Sequence, residues 1–518
     1  MTAAVGATSH RRAPAPRILA SIALFAGAAA LAMLMSPSVS LWTDEAVTLS
    51  AATRTPEQLW ALLQRIDAVH GVYYAFMSGW IHVFGDSPFA VRLPSALAAG
   101  ATALGILSLT RLIASETTAW LAAVACATLP RVAWGGIEAR PFIFSALAAT
   151  WATYLLVRAV RSSAPRAWAA YGLVAAAGVL INIYVVLVIV AHAATVLLLP
   201  RTRRTLAGFA VAAALAVAVT TPLLLLARSQ QGQLGGLGDR NPLSIARKVL
   251  VNQLFLGETP TAQAAPAWFT RAWQIGAVAA AAIGLFLITL AVLRRTAPGD
   301  RKREILAVAM PWLVIPTVIV AGYAVAVAPL YQPRYLTLVA PAGAILIAVG
   351  VRTIRARAAA ITLVAVYVVA IAIVFTSQRI PFAKSGSDWS AAAGVVASQA
   401  DAGDAVYFAP RDTDGPSGTA HLTSRRIVYA YPGAFVGLTD LTLQETGAQS
   451  ATLDGSSRGL DEALPLPDGT QRVWALYSKK GPPLVRTGSD TLLRDAGYVG
   501  TVVWDGPSTV VVEYTAAE

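Results

Sequence analysis

The feature that most constrains this chain is a recurrence of apolar runs, each close to the roughly 20 residues needed to cross the hydrocarbon of a bilayer. They fall near 17–40, 90–111, 116–134, 139–158, 167–180, 181–200, 205–227, 271–293, 304–327, 334–351 and 357–376. In lipid the backbone must satisfy its own hydrogen bonds, so such runs fold as helices. Composition agrees: only 13% of the residues are charged, against about 25% in a soluble domain. The expected fold class is mainly α, a polytopic transmembrane helical bundle of about eleven spans.

The basic residues orient the bundle. Arg11, Arg12 and Arg17, then Arg111, then Arg158, Arg161 and Arg166, then Arg201, Arg203 and Arg204 all fall in alternate connections. The alternation continues with Arg294, Arg295, Arg301, Lys302 and Arg303, and with Arg352, Arg355 and Arg357. Cytoplasmic loops carry such an excess, so the reading is a multi-pass plasma-membrane protein with a cytoplasmic N-terminus and an uncleaved signal anchor. The net charge of +13 is spent on these loops, which argues against a nucleic-acid partner. The single cysteine, Cys126, lies inside an apolar run and allows no disulfide within the chain.

The same topology gathers the other connections on the outer side: a first loop over 41–89, the turn 135–141, the loop 228–270 and the turn 329–335. The region after 377 joins them. It reads as an α/β domain, with a helix in WSAAAGVVASQA, strands in DAVYFAP, RRIVYAY and QRVWALYS, and a closing hairpin that turns at Asp505 and Gly506. The expected division is a membrane catalytic domain over 1–376 and an extracytoplasmic α/β domain over 377–518. In the loop, Asn241 and Pro242 signal a helix start, and Leu243, Ile245, Ala246, Val249, Leu250 and Leu254 suggest an amphipathic helix.

One outward-facing site follows from where the unusual side chains sit. Asp44 and Glu45 stand where the first helix leaves the bilayer, and carboxylates there are expensive unless they serve a function. A carboxylate in a partly dry pocket can act as a general base, and capping of a helix is the plain alternative. Arg334 and Arg140 lie at the outer face, against the positive-inside trend, and a planar guanidinium suits a phosphate. His70 adds a hydrogen-bonding or protonating group. Tyr73, Tyr74, Trp80 and Glu138 are candidates for sugar or acceptor contacts, and aromatic side chains are also plain interfacial residues. Arg92 either contributes or only anchors its helix, and Lys384 is a tethering charge or a weaker phosphate ligand. Gln231 and Gln233 are further candidates for sugar hydroxyls. Asp44, Glu45 and Glu138 are oxygen donors of the kind a divalent cation takes.

The order WTDEA, a His with paired Tyr, FGDSPFAVRLPSALA, EARPF and QPRYL resembles the GT-C superfamily of membrane glycosyltransferases. It is closest to the branch of protein O-mannosyltransferases and lipid A aminoarabinose transferases, in its actinobacterial form. The chain departs from that pattern at His70-Gly71-Val72-Tyr73-Tyr74, where relatives often carry His-Pro-Pro-Leu-Tyr-Tyr. The resemblance implies an inverting transferase without metal or other cofactor. It would move a sugar, mannose first, from a polyprenyl-phosphate donor to a hydroxyl of an envelope glycan, glycolipid or protein. Asp44 matches the family's base, with Glu45 as its alternate or support. Arg334, helped by Arg140 or His70, would hold the departing phosphate. Two other readings are an arabinofuranosyltransferase using polyprenyl-phosphoarabinose and a transporter or flippase of a lipid-linked sugar. The clean spans and one-sided polarity disfavour the transporter, which places polar groups at mid-membrane depth.

Overall fold

In the computed structural model, the apolar runs are helices wherever no residue interrupts backbone hydrogen bonding. The structure describes residues 14–230, 240–257, 265–410, 423–467, 469–480 and 483–517, so Gln231 and Gln233 lie outside the described residues. The chain enters through α1 (Pro14–Met33) and then builds the first loop from α2 (Thr43–Ala52), α3 (Pro56–Arg65) and α4 (Gly71–Phe84). The bundle continues with α5 (Pro88–Ile113), α6 (Glu116–Thr128), α7 (Pro130–Gly135), α8 (Phe142–Ser162), α9 (Pro165–Ile181), α10 (Val186–Leu198) and α11 (Arg203–Ser229). After α12 (Pro242–Arg247) come α13 (Ala267–Leu293), α14 (Lys302–Ala326), α15 (Ala340–Thr353) and α16 (Arg357–Ser377).

Among the described residues, eight helices are long and apolar enough to cross a membrane, and the helices of α9 and α10 are shorter apolar segments. The run 116–134, expected as one span, is broken into α6 and α7 at Leu129-Pro130, because proline cannot donate to the preceding turn. Asn182 separates α9 from α10, and its side chain accepts from the Tyr184 amide. Helices approach closely where side chains are small: a Cβ on Gly350 would meet the Leu287 carbonyl oxygen at 2.0 Å. Three of the basic connections meet where Arg161 pairs with Glu304 at 2.6 Å and donates to the Leu112 carbonyl. There the Ser115 amide also donates to Asp300 at 2.8 Å.

The amphipathic segment forms as expected and continues as a π-helix over Lys248–Leu256. Asn241 caps it by accepting from the amides of Leu243 and Ser244. Ile245 and Leu254 are buried, whereas Leu243 and Leu250 point outward, so the apolar stripe is narrower than its sequence suggests.

The C-terminal region holds α17 (Trp389–Gln399), β1 (Ala405–Ala409), α18 (Ile427–Ala430), β2 (Thr439–Asp440), β3 (Leu443–Glu445), α19 (Gly447–Ser450) and β4 (Ser456–Ser457). It closes with β5 (Arg472–Ser478), α20 (Pro483–Asp495), β6 (Tyr498–Asp505) and β7 (Thr509–Ala516). The main sheet has the order β2-β1-β5-β7-β6, parallel on the β2-β1-β5 side and antiparallel beyond. One expected strand is a correction: RRIVYAY is a 3-10 turn followed by α18. Its β-branched residues favour a strand locally, yet Thr423 caps the turn and Ile427 and Ala430 are buried against the first loop. Tertiary packing overrides such propensities.

The two faces of this sheet have different partners. Val406, Phe408, Trp474, Leu476 and Val511 join Leu41, Leu49, Tyr73, Tyr74 and Trp389 in one apolar core. Tyr407, Val473, Tyr477, Val512 and Tyr514 form a second core with Leu493 of α20. The region after 377 therefore shares its core with the first loop and does not hang from a tether.

Candidate active site

The site is built where α2 begins. Asp44 and Glu45 occupy the first turn of that helix, where the unpaired amides of the N-terminus favour negative charge. Successive helical residues point about 100° apart, and the two carboxylates enter different surroundings.

Asp44 is half-buried and faces a group of cations. Arg334, from the 3-10 turn Pro333–Val339, brings Nη1 to 3.3 Å from Asp44 Oδ2. The Arg334 guanidinium also lies 5.5 Å from the Trp42 ring centre, 5.7 Å from Phe142 and 5.8 Å from Tyr335. Arg140 approaches the same Phe142 ring at 6.0 Å, so one aromatic ring meets both guanidinium groups. Burial pushes the Asp44 carboxyl up, but Arg334, then Arg140, His70 and Arg426, outweigh it and hold its pKa below the ordinary value. The carboxylate is ionised at neutral pH.

Arg140 carries the second half of the arrangement. Its Nη2 contacts His70 Nε2 at 2.9 Å and its Nη1 donates to the Tyr74 hydroxyl at 3.1 Å. Tyr74 donates in turn to Asp67 Oδ2 at 2.9 Å. Arginine only donates, so Nε2 of His70 is the acceptor and the neutral ring carries its proton on Nδ1. Burial and then Arg140 lower the His70 pKa well below the ordinary value, which keeps the ring neutral. Its Nδ1 is buried without a partner among the described residues, a donor available to a ligand.

Glu45 is fully buried in a separate ion cluster. Arg92 embraces it with Nε at 2.8 Å and Nη2 at 2.7 Å, Lys384 Nζ lies at 2.9 Å, and the Ala139 amide donates at 3.0 Å. Arg92 also donates to the carbonyls of Ser36, Val39 and Ser40, and Lys384 to that of Ile137. Burial raises the Glu45 carboxyl, but Arg92 and then Lys384 draw it down to about 2. The cluster ties together the exit from α1, the start of α2, the turn before α8 and the segment after α16.

The C-terminal region grips α2 from above. At its start the Leu41 amide donates to the Tyr431 hydroxyl at 2.8 Å. At its end Ser50 Oγ donates to the Leu453 carbonyl at 2.8 Å and Arg54 to that of Thr452 at 2.5 Å. Arg426, whose charge reaches Asp44, is itself held by Asp454 at 2.6 and 2.7 Å.

The structure thus brings together Asp44, Arg334, Arg140, His70 and Tyr74. Tyr73 is buried beside them, edge-on to Phe144 at 5.7 Å. Glu138 is buried, accepts from Ser95 through its carbonyl and acts electrostatically on Lys384. Trp80 sits further along α4, 4.1 Å from Phe84, with its indole N–H on the Ala90 carbonyl. Trp42, Asp67, Tyr335 and Arg426 were not anticipated. Asp67, three residues before His70, had the only sequence signal, as a carboxylate in the outer loop. Among the described residues, no three His, Cys, Asp or Glu side chains come together as a metal site.

This is the helical arrangement of the GT-C membrane glycosyltransferases. Residues 71–225 match the family described as dolichyl-phosphate-mannose-protein mannosyltransferase. ArnT from Cupriavidus metallidurans in the apo state superposes with a TM-score of 0.52 at 12% identity, over 96% of this chain and 98% of that one. The same protein bound to undecaprenyl phosphate gives 0.50 at 14% identity, over 97% and 98%. The Archaeoglobus fulgidus oligosaccharyltransferase gives 0.49 at 12%, over 87% and 69%. No curated protein matches the sequence. The chain therefore has the fold of these membrane glycosyltransferases, and its residues 71–225 carry the family match.

Proposed function

We propose that this protein is an inverting glycosyltransferase that moves a sugar, mannose first, from a polyprenyl-phosphate donor to an acceptor hydroxyl at the outer face of the plasma membrane. The observation that carries the reading is a pair of guanidinium groups beside one partly open, ionised carboxylate. Asp44 faces Arg334 and Arg140, Arg334 approaches it only at 3.3 Å, and Arg140 turns its Nη groups to the uncharged His70 and Tyr74. A lipid phosphate would find both guanidinium groups at hand. The bound undecaprenyl phosphate of the ArnT structure and the dolichyl-phosphate-mannose wording of the family match agree with this choice of donor class and sugar.

In the proposed reaction Asp44 takes the proton from the acceptor hydroxyl. That oxygen attacks the anomeric carbon as the carbon–oxygen bond to phosphate breaks, with inversion. The electron pair leaves on the phosphate oxygen, where Arg334 and Arg140 meet the growing charge; fixed cations aimed at such charge are worth most in a dry site. His70 Nδ1–H and Tyr74 offer further hydrogen bonds to phosphate or sugar. Glu45 keeps α2 in place.

The test is transfer by purified protein in lipid, with polyprenyl-phosphomannose or polyprenyl-phosphoarabinose as donor and an envelope extract as acceptor. Transfer from the mannose donor by the wild type and not by Asp44→Asn is the expected result. Transfer from arabinose alone would replace the sugar. Equal transfer by both proteins would remove Asp44 as the base, and passage of the lipid-linked sugar across the bilayer without transfer would replace the enzyme with a transporter.

A further inference from the structure

On the far face of the C-terminal sheet, α20 stands off from the strands and leaves a cleft of about 720 Å³. It opens where β1 and β5, which run parallel, end at Ala409 and Ser478. Open α/β sheets bind their ligands outside the carboxyl ends of such strands. The apolar core shared with the first loop lies on the opposite face, so the cleft is distinct from the Asp44 site.

Its chemistry points to one class of ligand. The charges along the walls are matched: Lys479 pairs with Asp505 at 2.5 Å and Arg494 with Asp490 at 2.8 Å. The Tyr514 hydroxyl donates to Asp490 at 3.2 Å and lies 3.3 Å from the Tyr477 hydroxyl. Arg486 has no ion-pair partner among the described residues and holds its guanidinium 5.9 Å from the Tyr477 ring centre. The lining therefore combines planar donors, acceptors and phenol hydroxyls with apolar walls from Val485, Val502, Val510 and Val512, and carries one uncompensated positive charge. A hydrocarbon would take the Arg486 charge and the polar rim out of water without a hydrogen bond in return. A multiply charged anion would find its cations already paired. A hydroxyl-rich ligand of little charge satisfies them, because carboxylates and guanidinium groups each bridge neighbouring hydroxyls. The volume falls within the roughly 300–1,000 Å³ of ordinary ligand pockets, room for a short oligosaccharide.

We propose that this cleft is a second saccharide site, which holds two or three sugar units of a neutral or weakly acidic glycan away from the catalytic loop. A glycan held there at one point raises the local concentration of its other hydroxyls near Asp44, the advantage such a site would give a transferase. The binding itself does not depend on the transfer reading.

The experiment measures binding of mannotriose, arabinotriose, a uronic-acid trisaccharide and inorganic phosphate to the full chain in lipid nanodiscs, by saturation-transfer NMR and calorimetry. Thr487→Trp, on the exposed side of α20 within the cleft, fills the space, and Arg486→Ala removes the unpaired cation. The expected result is millimolar or tighter binding of at least one trisaccharide, weakened about tenfold or more by each variant, which corresponds to about 1.4 kcal/mol, and unchanged in Asp44→Asn. No trisaccharide binding, binding indifferent to both variants, or displacement of the trisaccharide by phosphate would each overturn the assignment. Loss of transfer in Asp44→Asn with no saccharide bound would overturn the cleft alone. Normal transfer in that variant with cleft binding intact would overturn the transfer reading alone.

Discussion

Asp44 and Glu45 are neighbours in the chain with the same functional group, yet they belong to two unlike regions. Glu45 has its oxygens taken by Arg92, Lys384 and the Ala139 amide and is sealed from solvent. Asp44 is partly open, with one long ion pair to Arg334 and the Arg140 guanidinium further off. Removing one partner from a closed ion cluster leaves a stranded charge, whereas a partly open carboxylate beside two guanidinium groups leaves room for a ligand. The difference separates a carboxylate that holds the structure from the one proposed as the base.

The largest expected effect breaks the comparison on the side of chemistry. Asp44→Asn should lower the transfer rate about 10²–10⁴-fold, the usual contribution of a general base, with thermal unfolding little changed. A variant that unfolded early while keeping its rate would exchange the roles of the two residues.

Next comes Glu45→Ala, which strands Arg92 and Lys384 and should cost about 3–5 kcal/mol of stability, seen as a lower melting temperature in lipid and a poor yield of folded protein. The acid limb of unfolding adds detail. Because folding lowers the Glu45 pKa from 4.5 to about 2, its contribution is complete above pH 4.5 and fades as the pH falls towards 2. Wild type should lose stability through that window, and the variant should lack this component.

Arg334→Met should reduce the rate about 10²–10³-fold, the loss seen when a donor to developing charge is removed. It also removes the strongest influence lowering the Asp44 pKa, and the burial that remains raises it. The acid limb of the residual activity should therefore move to higher pH. A rate loss with an unmoved limb would separate Arg334 from Asp44 and leave it to the phosphate alone.

The smallest effect concerns the grip on α2. Tyr431→Phe deprives the Leu41 amide of its acceptor and should cost about 1 kcal/mol, with faster hydrogen exchange at the start of α2 as the direct measurement. Unaltered exchange there would show that the shared apolar core holds the helix without this bond.

Some of this was legible in the sequence for definite reasons. Apolar length and the placement of arginines are local properties, so the helical bundle and its charged loops could be read directly. Asp44, Arg140, Arg334 and His70 stood out because charge or imidazole beside apolar runs is costly and therefore conspicuous. The breaks were harder: Pro130 shortens α6 although the hydropathy around it stays high. The strand expected at RRIVYAY failed because its apolar residues serve a core shared with the first loop.

By itself, the sequence determined a many-helix membrane protein with its unusual polar residues collected in a few connections, since hydrocarbon length and backbone hydrogen bonding leave no other way to bury such runs. Only the tertiary structure decided which of two adjacent carboxylates is enclosed and which is open. That choice depends on Arg92, Arg334 and Lys384, which are distant along the chain and adjacent only after the helices pack. It likewise decided that the C-terminal region grips α2, because a shared core is a property of two surfaces meeting and of neither sequence alone.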